Sequence, residues 1–462
     1  MKHLHFVGIG GARLSGLAKL YGDRGYVISG SDWQDSAVLN KLTAIGAKIY
    51  IGHNPANIQG ADLVVYTNAV GNENPEVLEA VKQGIPVLEG AELLGKLMSE
   101  IGKGIAIAGT HGKTTTSALT ALLMTEGGLD PTVLIGGELN AFGGNHRSGS
   151  SPYMVVEACE FRRSFLQLRP MLELVTNIDW DHPDCFPTFG DVVKTFEDFV
   201  ALLPPDGTLI VWGDDSNAAA LCNRFSGKKI IFGYQPQFDW QMTDIRPDGP
   251  LGMAASLWYR GKKQGDLRLA VPGRHNLQNA AGALAIAVEL GVDLNCALQT
   301  ASQFNGVHRR FELKGKFNDA LIVDDYAHHP AAIRTTLAAA RAVYKGRIWC
   351  VFQPHLFSRT KYLLAEFAKA FHDADVVVLA DIYPAREVDP GDISSADLAE
   401  AARRYNRDIR YLGNLERIFE HLSAEIRPGD LVITMGAGDI WKTGDRLLQS
   451  GYSGCAVTAK GK

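Results

Sequence analysis

The stretch Ile105-Ala-Ile-Ala-Gly-Thr-His-Gly-Lys-Thr-Thr-Thr116 decides how this chain is read. Its first residues are small, apolar and β-prone, and Ser117-Ala-Leu-Thr-Ala-Leu-Leu-Met124 continues with helical spacing, so a strand feeds a tight loop that opens a helix. Such a loop is an anion cradle. Gly109 and Gly112 let backbone N–H groups converge on phosphate oxygens, the helix N-terminus adds partial positive charge, Lys113 reaches the outer phosphates and Thr114 can hold Mg²⁺. The general phosphate-loop pattern would place glycine at position 107, where Ile107 stands, so the loop is a shortened variant. The bland alternative is a glycine-punctuated turn followed by a helix cap. Nucleoside triphosphate binding is the favoured reading.

Size and charge narrow the possibilities. At 462 residues the chain exceeds one core, and about three domains follow from roughly 150 residues each. Its 46 basic against 51 acidic residues give no footprint for nucleic acid or an anionic membrane surface. Six cysteines without a C-x-x-C pair argue against a disulfide framework and a structural zinc site. The N-terminal residues lack the apolar core of a signal peptide, and no later apolar run approaches the ~20 residues of a membrane span. A soluble cytoplasmic protein with small-molecule partners, monomeric or a weak homodimer, is expected.

Upstream of the loop, Leu4-His-Phe-Val-Gly-Ile-Gly-Gly11 reads as a strand running into a glycine turn, followed by a helix from Leu14 and a second strand, Tyr26 to Asp32, ending on an acid placed to meet a ribose hydroxyl. Arg13 occupies the position of the third glycine in the dinucleotide fingerprint, so the turn either takes a different phosphorylated ligand or only permits close packing. The β/α rhythm continues through Asp62–Asn68, Pro75–Val81 and Ile85–Leu88, which predicts a parallel sheet.

Downstream, the strand Tyr153–Glu157 ends in an acid, and the strand Leu172–Ile178 leads to Asp179-Trp-Asp-His182. Polar groups at neighbouring strand exits are where open α/β sheets bind ligands. Glu157 and His182 therefore either complete a Mg²⁺ site or cap loop backbones, imidazole being the poorer ligand for this ion. Residues 233–265 are polar and resist assignment. His275, Asn276 and Asn279 open a small-residue helix, where they either cap it or read an adenine edge. From Leu321 the alternation restarts with strands at 321–325, 347–352, 376–380 and 430–434 and helices at 331–343, 361–371 and around 396–402, again predicting a doubly wound sheet. Its strand ends carry Asp324-Asp-Tyr-Ala-His-His329 and Gln353-Pro-His-Leu-Phe-Ser-Arg359, and residues 451–462 read as a disordered tail.

Taken together, Gly8–Gly11, Gly109–Thr116, Glu157-Ala-Cys-Glu160, Thr176–His182, Gly273–Asn279, Asp324–Pro330, Phe352-Gln-Pro-His355 and Gly436-Ala-Gly-Asp-Ile-Trp441 resemble, in order and over essentially the whole chain, the Mur ligases of peptidoglycan synthesis. The resemblance implies an α/β enzyme of three domains: an N-terminal Rossmann-like domain over 1–98, a central P-loop ATPase-type domain with a mixed or parallel sheet over 99–309, and a C-terminal Rossmann-like domain over 310–462. It implies an ATP-dependent ligase joining L-alanine to the lactyl carboxylate of UDP-N-acetylmuramate through an acyl phosphate, with a preformed tripeptide as the alternative amine. On this resemblance the UDP-sugar is held by Gly10, Gly11, Asp32, Thr67, Asn68 and Ser164. ATP is bound by Gly109, Thr110, His111, Gly112, Lys113, Thr114 and Thr115, with His275, Asn276, Asn279, Arg310, Asp325 and Tyr326, and Mg²⁺ by Thr114, Glu157 and His182. Tyr326, His328, His355 and Arg359 serve the phosphorylated intermediate and the amino acid, and the catalytic set is Lys113, Glu157, His182, His328, His355 and Arg359. Two departures stand out. Cys159 takes the place of a frequent Asp and Leu356 that of a frequent second Arg, which shifts weight onto Arg359.

Two rivals explain less. A nicotinamide-dependent oxidoreductase leaves the Gly-Lys-Thr loop without a role, and a non-catalytic nucleotide switch leaves the polar strand ends of the third domain without one.

Overall fold

The structure is a computed structural model, and it describes residues 2–71, 73–181, 185–385 and 387–453. Every named strand falls into one of three sheets. The first comprises β1 (His3–Val7), β2 (Val27–Asp32), β3 (Lys48–Ile51), β4 (Leu63–Tyr66) and β5 (Val87–Glu89), in the order β3-β2-β1-β4-β5. All four neighbouring pairs are parallel. Because the order reverses about β1, the crevice beyond its carboxyl end is the switch point where such sheets bind ligands. The turn Gly8–Gly11 sits there and opens the helix Ala12–Asp23, whose Leu14, Leu17, Ala18 and Leu20 are buried.

The second sheet contains β6 (Lys103–Ala108), β7 (Thr132–Leu139), β8 (Gly144–Arg147), β9 (Tyr153–Glu157), β10 (Pro170–Val175), β11 (Thr208–Trp212), β12 (Lys228–Gly233), β13 (Trp240–Asp248), β14 (Gly252–Tyr259) and β15 (Lys262–Leu269). Its order is β15-β14-β13-β12-β11-β10-β6-β9-β7-β8, which places β6 between β10 and β9, both parallel to it. Ile105, Ala106, Ile107 and Ala108 are all buried, as a strand covered on both faces requires. One residue defies that environment. Glu173 in β10 is fully buried, neither carboxylate oxygen has a hydrogen-bond partner, and burial pushes its carboxyl well above the usual range.

The third sheet runs β16-β17-β21-β18-β19-β20, formed by β16 (Glu312–Phe317), β17 (Ala320–Asp325), β18 (Ile348–Phe352), β19 (Val376–Ala380), β20 (Ile409–Gly413) and β21 (Leu431–Met435). The edge strand β16 is antiparallel to β17, and the remaining pairs are parallel. Fully buried Trp349, Phe352, Phe367 and Phe371 anchor the packing on its two faces.

By packing, the chain divides into two compact units: residues 1–244, 255–267 and 278–302 form one, and 245–254, 268–277 and 303–462 the other. The α/β class agrees with the sequence reading, the antiparallel pair β7–β8 making the central sheet mixed. Residues 233–265, which resist assignment by pattern, hold β13, β14 and the start of β15. The single helix expected over 361–371 is instead two short ones, Phe357–Tyr362 and Leu364–Lys369, broken where Leu363 leaves helical geometry at φ −103, ψ 19. The expected tail falls largely outside the described residues. No helix among the described residues is long and apolar enough to cross a membrane.

Candidate functional site

In the first unit, β6 ends at Ala108 and the helix Lys113–Glu126 begins five residues later, the connection being made by Gly109-Thr-His-Gly112. Both glycines have positive φ, 132 and 85, where a β-carbon is strained. Space forbids a side chain as well: a Cβ at Gly109 would lie 2.0 Å from Thr176 Oγ1, and one at Gly112 would lie 2.3 Å from Asn279 Oδ1. Asn279 therefore abuts the loop.

The loop is clamped from the segment that follows β10. The His111 amide donates to Asn177 Oδ1 at 2.8 Å, Asn177 Nδ2 returns a bond to His111 O at 3.0 Å, and Thr110 Oγ1 accepts from the Asp179 amide at 2.8 Å. His111 is exposed, 3.5 Å from the Asp179 carboxylate, while Thr114 and Thr115 are half-buried in the first helical turn. Lys113 Nζ donates to the carbonyls of Gly109 and Thr110 and pairs with the buried Glu160 carboxylate at 2.9 Å. Burial alone would lower its pKa, but the charge of Glu160 and its hydrogen bond to the ammonium, helped by Glu157, outweigh burial and hold it above its ordinary value. The ammonium is therefore a permanent cation at neutral pH. Glu160 and Asn177 lie outside the sequence-predicted set, and each could have been suspected only as a polar residue at a strand exit beside this loop.

Glu157 ends β9, in register with Ile107 of β6. One of its oxygens accepts from the Gly136 amide at 2.8 Å, and a Cβ at Gly136 would come within 2.5 Å of it, so that glycine is needed for the carboxylate to sit there. His182, predicted as a metal ligand, lies outside the described residues.

Of the residues predicted for a nucleotide sugar, Gly10 and Gly11 lie in the first turn and Asp32 closes it: one Asp32 oxygen accepts from the Gly10 amide at 2.7 Å and the other from Trp33 at 2.7 Å. Thr67 packs against Gly8, and Asn68 donates to Glu89. Ser164, buried in the segment after β9, accepts from Arg13 at 3.2 Å. Arg13, Glu157, Cys159 and Ser164 line one narrow cleft.

In the second unit the predicted residues gather at the carboxyl ends of β17 and β18. Asp325 accepts from the amides of Phe311 at 2.8 Å and Ala327 at 2.7 Å, and burial raises its carboxyl although Arg310 and these bonds oppose it. The guanidiniums of Arg309 and Arg310 lie 5.1 and 5.5 Å from the Tyr326 ring centroid. His328 Nδ1 is 2.9 Å from Tyr326 O. Since a carbonyl only accepts, Nδ1 carries the hydrogen and Nε2 is the basic nitrogen. Burial, joined by Arg359, His355 and Arg310, pushes this imidazole down to about 4, so it is neutral at pH 7. His355 stacks on Tyr383, centroids 5.7 Å apart at 15°, and Arg359 lies 3.4 Å from its Nδ1. Gln353 latches the turn after β21, accepting from the amides of Asp439 and Ile440 at 2.8 and 3.1 Å. His275 is exposed, and Asn276 donates to Pro272 O at 2.7 Å, a bond within its own turn.

Comparison with known proteins places these features. Three family models match in succession: "Mur ligase family, catalytic domain" over residues 3–101, "Mur ligase middle domain" over 107–287 and "Mur ligase, glutamate ligase domain" over 309–438. The UDP-N-acetylmuramate–L-alanine ligase of Acetivibrio thermocellus is 45% identical over 97% of this chain and 96% of its own length. The chain belongs to the Mur ligase family. Another Mur ligase of the same name, from Caldanaerobacter subterraneus subsp. tengcongensis, is 42% identical over 97% of both chains. Among solved structures, the UDP-N-acetylmuramate–alanine ligase of Thermotoga maritima matches with TM-score 0.84 and 26% identity, covering 98% of this chain and 100% of that one. As a Mur ligase the chain is an ATP-dependent ligase.

Proposed function

We propose that this Mur ligase joins L-alanine to the lactyl carboxylate of UDP-N-acetylmuramate, releasing ADP and phosphate. The observation that carries the reading is a glycine loop at a helix N-terminus with a half-buried, permanently charged lysine, flanked one strand away by the Glu157 carboxylate. The names of the full-length relatives supply the substrates.

A carboxylate does not accept an amine, because its leaving group would be oxide. Phosphorylation removes that obstacle. The lactyl carboxylate attacks the γ-phosphorus of ATP in line, the bond to ADP breaks, and Lys113 stabilises negative charge spreading over the transferring oxygens. Alanine enters as an ammonium and must lose a proton before its nitrogen can attack the acyl phosphate. That proton is lost to solvent before the amine binds, because His328, pushed down to about 4, is too weak a base to take it; neutral, with its hydrogen on Nδ1, His328 suits accepting a hydrogen bond that orients the amine, and Arg359 offers a guanidinium to the phosphate that leaves. Thr114 and Glu157 present a hydroxyl and a carboxylate, an all-oxygen pair suited to Mg²⁺, which keeps several waters. When bound, that ion neutralises phosphate charge. Asp325 and the Tyr326 ring, with Arg310 over it, are suited to the nucleotide's ribose and base.

The test is ADP release from ATP in the presence of UDP-N-acetylmuramate with alanine, glycine, serine or preformed tripeptide as the amine. Alanine is expected to give the highest kcat/KM. Because one methyl group supplies only ~1–3 kcal/mol, serine and glycine should remain weak substrates. A preference for tripeptide would reassign the enzyme to a recycling ligase.

A further inference from the structure

We infer that Arg309 is a positioning residue for the nucleotide: its side chain ties the end of β17 to the glycine turn after β21, and its backbone presents Arg310 beside Tyr326. The inference rests on the reading above that Asp325, Tyr326 and Arg310 take the ribose and base. It adds a residue that acts through these neighbours rather than on the ligand.

The Arg309 guanidinium is only 14% exposed, and its bonds run to three places. Nε donates to Asp324 Oδ2 at 2.9 Å, Nη1 to Gly438 O at 3.3 Å and Nη2 to Gly436 O. A planar fork of five donors meets a carboxylate and two carbonyls together, a pattern an ammonium does not match. Asp324 is itself buried, and its other oxygen accepts from Thr434 Oγ1 at 2.6 Å, which joins β17 to β21 within the sheet. The ladder between those strands ends at Asp325 and Met435. Beyond it, Arg309 joins β17 to the turn at 436–438, while Gln353, just past β18, latches the residues that follow.

The backbone adds an independent observation. Arg309 and Phe311 both have left-handed φ, 59 and 48, a conformation that costs energy at residues with a β-carbon. Bonds to the proposed nucleotide residues hold it. Arg309 O accepts from the Tyr326 amide at 2.7 Å, and the Phe311 amide donates to Asp325 Oδ2 at 2.8 Å. Arg310 lies between the two, its own amide closing a tight turn onto Val307 O at 2.9 Å. The consecutive arginines therefore divide the work: Arg310 is exposed and open to a ligand, whereas Arg309 is engaged with protein. Stability alone does not call for this arrangement, because well-packed apolar residues commonly replace a buried ion pair without loss. Burial pushes the Asp324 carboxyl up and Arg309 pulls it down, so a neutral side chain at 309 alone strands a buried acid.

The experiment is steady-state ADP release by the full chain, with thermal melting beside it, for the parent, Arg309→Lys, Arg310→Ala and the double variant Arg309→Gln with Asp324→Asn. The double variant removes both charges, so no buried carboxylate is left unpaired. It should melt close to the parent yet raise the KM for ATP about tenfold, with the KM for alanine nearly unchanged and kcat reduced less than that KM rises. Arg309→Lys, which keeps the charge without the fork, should recover part of the loss. A double variant that melts like the parent and keeps its KM for ATP would overturn the inference, and early melting with both KM values raised together would overturn it in favour of a general strut. If the double variant does not fold, Arg309→Lys decides: a raised KM for ATP alone supports positioning, and the parent's value overturns it. Arg310→Ala separates the inference from the reading beneath it. If that variant keeps the parent's KM for ATP, Arg310 does not serve the nucleotide and both fail; if it raises the KM while the Arg309 variants do not, the positioning role alone fails.

Discussion

Lys113 is bonded to its own loop and to Glu160, which keeps a cation at the loop proposed to take the phosphates. Removing one preorganised charge of this kind commonly lowers kcat by ~10²–10³. Lys113→Ala is expected to lose at least that much in ADP release and product formation together, and a variant with near-normal turnover would withdraw the role given to Lys113. A subtler prediction concerns Gly136, whose amide holds Glu157 and whose missing side chain leaves room for the carboxylate. Gly136→Ala should displace Glu157 and raise several-fold the Mg²⁺ concentration needed for half-maximal activity. An unchanged Mg²⁺ titration would show that Glu157 does not serve the ion. At this scale the sequence is most legible where the geometry is local: Gly109, Gly112 and Lys113 lie within five residues, and the strand, the two positive-φ glycines and the helix start that their spacing predicts are the ones the structure has. Glu160 was less legible as a partner because its contact with Lys113 spans 47 positions. His182 lies outside the described residues.

Among the secondary-structure elements, β10 carries the clearest contradiction between pattern and place. A carboxyl group with no partner, buried in a central strand, stays protonated when folded and ionises when the chain unfolds. Its folded pKa is raised, so the stability it confers is present below the unfolded value of about 4.5 and is lost as pH rises from there toward the folded value. Glu173→Leu should therefore stabilise the protein by about 1–3 kcal/mol near neutral pH and by less in acid. Denaturant midpoints measured at pH 5 and pH 7.5 test this, and an equal gain at both would refute the ionisation argument. The strands that pattern finds easily, such as β6, β18 and β21, are those buried on both faces, whose apolar runs need no partner to be recognised. β13 and β15 mix exposed and buried positions with several charges, and β14 lies between them, so the tertiary pairing that makes them strands leaves little local trace. The break at Leu363 is hidden for a related reason. The preceding helix starts from Leu356 at φ 73, a left-handed conformation that nothing in a leucine advertises.

On the scale of the whole molecule, the three family models follow one another along the chain, whereas the packing recognises two units. The β/α rhythm reveals the number of sheets, but which segments pack together depends on contacts remote in sequence. The backbone passes from one unit to the other five times, at 244/245, 254/255, 267/268, 277/278 and 302/303. Stopping translation after Ser302 would thus not deliver a self-sufficient half. The product would retain Leu251 and Val271, apolar side chains that belong to the core of the missing partner. Such a fragment is expected to bind hydrophobic dyes and melt over a broad range, and a sharp monomeric transition would contradict this. Interleaving of this kind makes the polypeptide a poor substrate for domain shuffling: recombination that exchanges one lobe must preserve two short threads lent to the other.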